Sequence, residues 1–236
     1  MQLSPQLITK DPILAIIVTF NPQLEHLYEF VIELSKQFSS ILIIDNNSDN
    51  YTKVFNKVNL TNENCKIIFL KNTSNIGLAS AQNQGAKYVL DNSYKAFCIF
   101  DQDSDIKSDY LNVLINDYNL LISKGIQVGA IGPCVVDKSS NFSYPVSIYK
   151  GMLLKRKTLK ISEVAECSYI ISSGSLITTK TLKEVGTKIS TIPETNQPIK
   201  KVTLEMNEKI NEYLIKIASV DTLADILEDV NINPNY

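Results

Sequence analysis

Three apolar segments of this chain each end in a cluster of short polar side chains, and this repeated pattern constrains the fold strongly. The segments are residues 12–20 (PILAIIVTF), 40–45 (SILIID) and 96–101 (AFCIFD). Apolar runs of this length are typical of strands that are buried on both faces of a parallel sheet. The carboxyl ends of such strands lie along one edge of the sheet, where α/β proteins bind ligands.

Segments with helical spacing of apolar residues separate these strands. The pattern predicts helices at 22–38, 75–90 and 108–123, and further strands at 65–70 and 128–136. Asn21 and Pro22 suit a helix cap and a first helical residue. A short strand at 168–171 and a short helix at 179–185 follow. This alternation of strands and helices predicts a right-handed, mainly parallel sheet with helices on both faces.

The polar clusters contain residue types that hold a nucleotide. Asp101 and Asp103 could share a Mg²⁺ ion with phosphate oxygens, and the alternative is a solvated acidic turn. Asp45 and its neighbouring amides could hydrogen-bond a base edge and ribose, or form only a turn. The segment from Asn75 to Gly77 could offer backbone N–H groups at a helix start, or serve as a cap and a close-packing position.

Composition excludes several classes of function. The chain has 236 residues, a net charge of −2 and 44% hydrophobic residues, which predicts a globular protein without general affinity for nucleic acid. The four cysteines form no CxxC pair, which indicates reduced core residues of a cytosolic protein. The single histidine, His26, is expected at the surface and disfavours a Ser–His or Cys–His pair. No signal peptide or membrane span is predicted, so we expect a soluble or peripheral protein.

The C-terminal third leaves two questions open. The basic residues at 155–157, with Leu153 and Leu154, form either a solvated face or a contact for anionic phospholipid or a lipid-diphosphate acceptor. Apolar spacing at 202–230 predicts two amphipathic helices, which either dock on the domain or pair with a second chain. We therefore predict one domain at 1–191 and a linker with a helical tail at 192–236.

Four motifs in order, IIVTFNP, LIIDNNSDN, NIGLASAQNQG and FCIFDQDSD, resemble the family 2 glycosyltransferases of GT-A fold. The Asp-Gln-Asp-Ser variant is similar to bacterial rhamnosyltransferases that build O-antigen and capsular polysaccharide. The resemblance covers about residues 13–186, because SSGSLI and KEVG extend it. It implies a GT-A-like domain with a mainly parallel central sheet, to which the predicted helical appendage is added.

The resemblance also implies roles for single residues. Asp101 and Asp103 match the metal-binding D-x-D pair, with Asp103 the more direct ligand of Mg²⁺ or Mn²⁺. Asn46 stands where the family usually has a second acidic residue. The positions implied to contact the nucleotide sugar are Thr19, Asn21, Asp45, Asn46, Asn75, Gly77, Asn83, Asp101 and Gly174.

The implied reaction is an inverting displacement from dTDP-rhamnose or a UDP-sugar to a glycan or lipid-linked acceptor. It would take place in the cytoplasm or at the inner face of the plasma membrane. The family usually places its general base soon after the Val-Gly pair at 185–186. Residues 187–197 depart from that pattern and contain one acid, Glu194, so no catalytic base is assigned. The alternative is a catalytically disabled GT-A remnant that binds nucleotide or a partner chain without sugar transfer.

Overall fold

A computed structural model describes residues 7–9, 12–58, 65–136, 140, 142–150, 153–159, 163–168, 170–185 and 214–223. At residues 149, 150, 185 and 214–223 it describes the backbone alone. Ten strands and five helices are described. The strands are β1 (Ile13–Thr19), β2 (Ser40–Asp45), β3 (Lys66–Lys71), β4 (Ala96–Asp101), β5 (Val128–Val136), β6 (Val146–Lys150), β7 (Leu153–Lys157), β8 (Ala165–Glu166), β9 (Leu176–Thr178) and β10 (Leu214–Leu223). The helices are α1 (Leu24–Ser35), α2 (Tyr51–Val58), α3 (Leu78–Asp91), α4 (Tyr110–Ser123) and α5 (Thr179–Val185).

Eight strands form one sheet in the order β3-β2-β1-β4-β9-β5-β10-β8. Strands β1 to β4 are mutually parallel, and β5 pairs in parallel with β10. Strand β9 runs antiparallel between β4 and β5, and β8 is antiparallel to β10. Strands β6 and β7 form a separate hairpin. The sheet is mainly parallel, as the sequence predicts.

Alternate residues of the central strands face two separate cores. Ile13, Ala15 and Ile17 pack in a cluster that contains buried residues of α1, α2 and α4. Leu14, Ile16 and Val18 pack in a second cluster with buried residues of α3 and α5. Every residue of β1 is buried because helices cover both faces, and this explains why the strand contains no polar residue before Thr19.

Three helices begin later than predicted: α4 begins at Tyr110 and not at 108, and the backbone explains the later start of the other two. Helix α1 begins at Leu24 and not at Pro22, because Asn21 adopts φ 46° and turns the chain before the helix. Helix α3 begins at Leu78 and not at Asn75, because Gly77 has φ 82° and precedes the first helical residue. In both cases the polar residues that suggested a cap belong to a loop at the sheet edge.

Three further elements differ from the sequence-based expectation. Helix α2 was not predicted, since it is short and buries only Val54 and Val58. The strand expected at 168–171 is not formed by the described residues of that segment; the short strands β8 and β9 flank it. His26 is half-buried, and its Nε2 atom has no hydrogen-bond partner among the described residues.

The helical prediction for the tail is wrong over 214–223, where the backbone forms strand β10. This segment contains β-branched residues (Ile215, Ile217, Val220 and Thr222), and it pairs along the free edge of β5. Such pairing satisfies backbone groups of both segments, which an isolated amphipathic pattern cannot reveal. The other residues of the tail, with the proposed linker, lie outside the described part of the chain, and the boundary at 191 stays a prediction.

All four cysteines (Cys65, Cys98, Cys134 and Cys167) are free and buried. Burial raises the pKa of the Cys98 thiol far above its usual range, so this side chain is an unreactive core group. Among the described residues, no helix has the length and apolarity that a membrane crossing requires.

Candidate functional site

Three parallel strands bring predicted site residues to one edge of the sheet. Thr19 is paired with Asp45 across β1 and β2, and Val18 is paired with Asp101 across β1 and β4. The carboxyl ends of these strands therefore lie side by side. The polar residues after each strand share this edge, as the sequence predicts.

Asp45 is a buried carboxylate at the centre of this edge. Its side chain is 1% exposed, and its two oxygens accept different hydrogen bonds. Thr19 Oγ1 donates to Oδ2 at 3.1 Å, and the Ser48 N–H donates to Oδ1 at 2.9 Å. Each carboxylate oxygen has a second lone pair. Asp45 therefore ties β1 to the loop after β2, and any ligand contact must use its remaining lone pairs.

Asn21 connects the loops that follow β1 and β2. Its N–H donates to Ser48 Oγ at 2.9 Å, and its Oδ1 accepts from the Asp49 N–H at 2.8 Å. Asn tolerates the left-handed backbone conformation that this position requires. Asn21 is exposed, so its side chain remains accessible from the edge.

Asn46 organises the loop that precedes α3. Its Nδ2 donates to Asn75 Oδ1 at 2.7 Å, and its Oδ1 accepts from the Ile76 N–H at 3.0 Å. Asn75 Oδ1 also accepts the Gly77 N–H at 2.9 Å. Two backbone N–H groups thus determine the orientation of both amides. A carboxylate at 46 would place an oxygen against Asn75 Oδ1, so this network requires the amide.

The same network extends into α3. Asn72 Nδ2 donates to Asn46 Oδ1 at 3.2 Å, and the side chains of Asn72 and Gln84 exchange hydrogen bonds of 2.8 and 3.1 Å. Asn83 lies next to Gln84 on α3 and is half-buried. The structure brings Asn46, Asn75 and Gly77 into direct contact, whereas Asn83 is placed only on the neighbouring helical turn.

Gly77 occupies a position that suits backbone approach by a ligand. Its φ is 82°, and a Cβ atom there would meet nothing within 4 Å. The close helix packing that the sequence allowed for Gly77 occurs instead at Gly85, where a Cβ would lie 2.9 Å from Ile16. Gly77 immediately precedes α3, whose first N–H groups have no partner within the helix.

Gln102, the middle residue of the Asp-Gln-Asp motif, joins that motif to the loop after β1. Its Oε1 accepts the Phe20 N–H at 2.8 Å, and its Nε2 donates to the Phe20 carbonyl at 3.3 Å. This paired contact holds the Phe20 backbone as a neighbouring strand would. The Phe20 ring is 47% exposed, so it presents an aromatic face at the sheet edge.

Asp101 and Asp103 interact electrostatically at the end of β4. Burial, and secondarily the charge of Asp103, raise the pKa of Asp101, whereas a hydrogen bond from Ser173 lowers it. Asp103 is exposed. A divalent cation would relieve the repulsion between these carboxylates, so the pair fits the metal that the sequence predicts. No group of three or more His, Cys, Asp or Glu within the described residues could hold a metal, so other oxygens must complete the shell.

Ser173 and Gly174 lie beside Asp101. Ser173 Oγ accepts the Asp101 N–H at 3.2 Å and lies 2.9 Å from Ser104 Oγ. The Gly174 N–H donates to the Ile99 carbonyl at 2.6 Å, and the Gly174 carbonyl accepts from the Tyr110 hydroxyl. A Cβ atom at Gly174 would overlap that hydroxyl. This loop is thereby held against the end of β4.

A small, largely apolar cavity is lined in part by residues of β4 and β5. Its lining includes Ser104, Tyr110, Cys134, Ser173 and Gly174. Asp45, Asn75 and Asp103 do not line it. Gly174 is thus the only residue of the predicted site that does so, and the others lie outside that cavity.

Sequence reasoning missed three residues that connect the site. Ser48 and Ser173 accept hydrogen bonds from the backbone N–H groups of the predicted site residues Asn21 and Asp101. Gln102 accepts one from Phe20, which lies between Thr19 and Asn21. Gln102 could have been found from its place between two aspartates. Ser48 and Ser173 carry no comparable signal, because their partners are distant in sequence.

Comparison with known proteins identifies the family of this chain. A family model described as glycosyl transferase family 2 matches residues 14–185. The chain is 29% identical over 180 residues to dTDP-rhamnosyl transferase RfbF of Shigella flexneri, an alignment that covers 74% of this chain. This chain spans 56% of the length of that curated relative.

Solved structures share the fold at low sequence identity. Mannosyltransferase PcManGT from Pyrobaculum calidifontis, in complex with GDP-Man and Mn²⁺, has a TM-score of 0.61 and 13% identity, covering 92% of this chain and 58% of that one. TarS 1–349 from S. aureus has a TM-score of 0.60 and 17% identity, covering 90% and 60%. The mixed α/β domain is therefore GT-A-like. The family match extends from β1 through α5 and includes every predicted site residue, and the chain belongs to glycosyl transferase family 2.

Proposed function

We propose that the protein transfers a sugar, with rhamnose favoured, from a nucleoside-diphosphate sugar to an acceptor hydroxyl. The observation that carries this proposal is the continuous network linking Thr19, Asp45 and Asn46 to the start of α3. Gln102 and Phe20 connect this region to the Asp101–Asp103 pair. One edge thus combines polar groups for a nucleoside with carboxylates for a cation. The rhamnosyltransferase relative favours dTDP-rhamnose as donor, with a UDP-sugar as the alternative.

Asp101 and Asp103 are the proposed holders of Mg²⁺ or Mn²⁺. The raised pKa of Asp101 indicates a site where negative charge is poorly solvated, and Asp103 adds a second, exposed carboxylate. The bound Mn²⁺ in the mannosyltransferase neighbour supports a divalent ion. When bound, such an ion stabilises negative charge on the departing diphosphate.

The other predicted residues have positioning roles. Asp45 and Asn46 keep the loops after β2 and before α3 in place, and the remaining acceptor sites of Asp45 face the nucleoside in our proposal. Gly77 leads the backbone into α3, and the first N–H groups of α3 provide donors for phosphate oxygens. Ser173 holds the Asp101 backbone, and Gly174 brings its loop close to the sugar.

The reaction we propose is an inverting single displacement. An acceptor hydroxyl attacks the anomeric carbon, the bond from that carbon to the nucleoside diphosphate breaks, and the hydroxyl proton passes to a general base. We assign no described residue as that base. Glu194, the one acid in residues 187–197, lies outside the part of the chain that the structure describes. We propose a polysaccharide or lipid-linked glycan as acceptor, with the protein at the cytoplasmic side of a membrane.

A thermal-shift panel tests donor and metal binding. dTDP or UDP, added with Mn²⁺, should raise the melting temperature more than either component alone, because ligands that bind only the folded state stabilise it. Asp103→Ala should abolish the metal-dependent part of this shift. Asp91→Ala, which removes an exposed carboxylate paired with Lys87, is the matched control and should leave it unchanged. An equal shift in Asp103→Ala would exclude its proposed role.

The second candidate is a GT-A remnant that binds nucleotide without transferring sugar. The single acid in residues 187–197 favours it, because the family pattern is richer in acids there. Incubation with dTDP-rhamnose and rhamnose-type acceptors discriminates the two. Glycan product, with release of dTDP, supports the transferase, whereas nucleotide-induced stabilisation without turnover for any donor supports the remnant.

A further inference from the structure

The hairpin of β6 and β7 combines exposed apolar and basic side chains outside the main sheet. Leu153 is 77% exposed and Leu154 is 44% exposed, which makes them adjacent solvent-facing leucines at the start of β7. Lys155 and Arg156 follow directly and are also exposed. Large apolar side chains that are exposed together at one place are a common mark of an interaction surface.

The charges of this hairpin have one sign. Residues 146–157 contain four basic residues and no acidic residue. Lys157 is neutralised by an ion pair with Glu163. Lys155 and Arg156 make no ion pair with any described residue, so their charges are available to a partner. The exposed strand therefore offers leucines and uncompensated cations next to each other.

The hairpin is attached firmly enough to present this surface. Its five register pairs run from Val146–Lys157 to Lys150–Leu153. Val146 is buried in a small cluster with Cys134 of β5 and with Leu159 and Cys167. The Ser147 carbonyl accepts the Ser168 N–H at 2.9 Å. One end of the hairpin is thus anchored on the domain while the leucines lie at the opposite end of β7.

We propose that this hairpin docks the protein on an anionic phospholipid bilayer, with Leu153 and Leu154 entering the headgroup region and Lys155 and Arg156 contacting lipid phosphates. This pairing of apolar and cationic groups is complementary to a negatively charged membrane surface, which attracts lysine and arginine and accepts apolar side chains. A protein partner would need a surface that is both acidic and apolar, and absence of vesicle binding is the result that would favour such a partner. The inference extends the proposed function, since it places the transferase beside a lipid-linked acceptor.

Vesicle sedimentation tests the proposal with the full chain. Mixed phosphatidylglycerol and phosphatidylcholine vesicles should bind the protein, and phosphatidylcholine vesicles should bind it much less. Each basic residue near an anionic surface contributes about 1 kcal/mol. The double variant Lys155→Gln, Arg156→Gln should therefore lower partitioning about 25-fold. Added salt should weaken binding of the original protein.

Matched variants test whether vesicle binding depends on the hairpin or on exposed residues elsewhere. Leu153→Ser should reduce binding, whereas Leu120→Ser, which changes a 48% exposed leucine of α4, should not. Lys53→Gln on α2 is the corresponding control for charge, since Lys53 is also exposed. Equal binding to both vesicle types, absence of binding, or equal effects of hairpin and control variants would overturn the proposal.

The proposed function and the proposed membrane contact can be tested independently of each other. The hairpin variants should keep the nucleotide- and metal-dependent rise in melting temperature, which also shows that they fold. Asp103→Ala should lose that rise but bind vesicles normally. Loss of vesicle binding in Asp103→Ala would show that the membrane contact lies elsewhere.

Discussion

Asn46 shows how one residue can depart from a family pattern for a local physical reason. The family usually has an acidic residue at this position, whereas here the amide donates to Asn75 Oδ1. That oxygen also accepts the Gly77 N–H, so it cannot turn away without leaving a backbone donor unpaired. The amide at 46 is therefore required by its neighbour, and Asp45 supplies the buried carboxylate in this part of the site.

The pKa of Asp101 gives a prediction for the free protein. A carboxyl whose pKa is raised by folding binds protons more tightly when folded, so stability is lost as pH rises from the unfolded pKa through the folded one. This loss is complete once the pH exceeds the folded pKa. Asp101→Asn should therefore raise the melting temperature at pH 7 in the absence of metal and nucleotide.

The same substitution has a defined pH profile. Its advantage should shrink as pH falls, and it should vanish below about 3.9, the unfolded carboxyl value, where both states are protonated. Asp91→Asn, at an exposed ion pair with Lys87, should show little change at either pH. Differential scanning calorimetry measures both, and a lower melting temperature for Asp101→Asn at pH 7 would contradict the burial argument.

At the scale of elements, the start of α3 depends on the backbone of Gly77. Its φ is 82°, and Gly125 after α4 has φ 74°; a Cβ would meet no atom within 4 Å at either position. Alanine should cost about 1 kcal/mol or more through backbone strain at each site, and most at Gly77, whose ψ of 156° lies in a region that is essentially restricted to glycine. Gly77→Ala should also weaken nucleotide binding, because the N–H groups at this helix start would move.

Gly125→Ala controls for the stability loss in that experiment. It introduces backbone strain at another glycine of positive φ, at the end of α4, a helix that contributes no predicted nucleotide contact. Chemical denaturation should show a loss of stability for both variants, while isothermal titration with dTDP and Mn²⁺ should show weaker binding for Gly77→Ala only. Equal affinities would indicate that the start of α3 does not contact the nucleotide.

At the scale of the whole molecule, the late strand β10 completes the sheet between β5 and β8. Its pairing with β5 satisfies backbone groups that would otherwise form an exposed edge. Removal of residues 214–236 should therefore lower amide protection in β5, measured by hydrogen exchange, and leave β1 and β2 protected. Unchanged protection of β5 would show that β10 contributes little to the sheet.

Much of the fold follows from the sequence because the signal is local. The bounds of β1, β2 and β4 match the apolar runs within a residue, since a buried strand needs apolar side chains on both faces. The alternation with helices predicts a parallel sheet, and the carboxyl ends of parallel strands coincide at one edge. Those facts bring Thr19, Asp45 and Asp101 together before any coordinates are known.

What the tertiary structure decided is how these residues are connected. Gln102 binds the Phe20 backbone, Ser173 binds the Asp101 backbone, and Asn46 bridges to Asn75. Strand β10 likewise forms where the edge of β5 supplies partners, although its apolar spacing suggests a helix. Local composition records which face of a segment is buried, but a hydrogen bond between distant residues depends on distance and direction, and these exist only after the chain has packed.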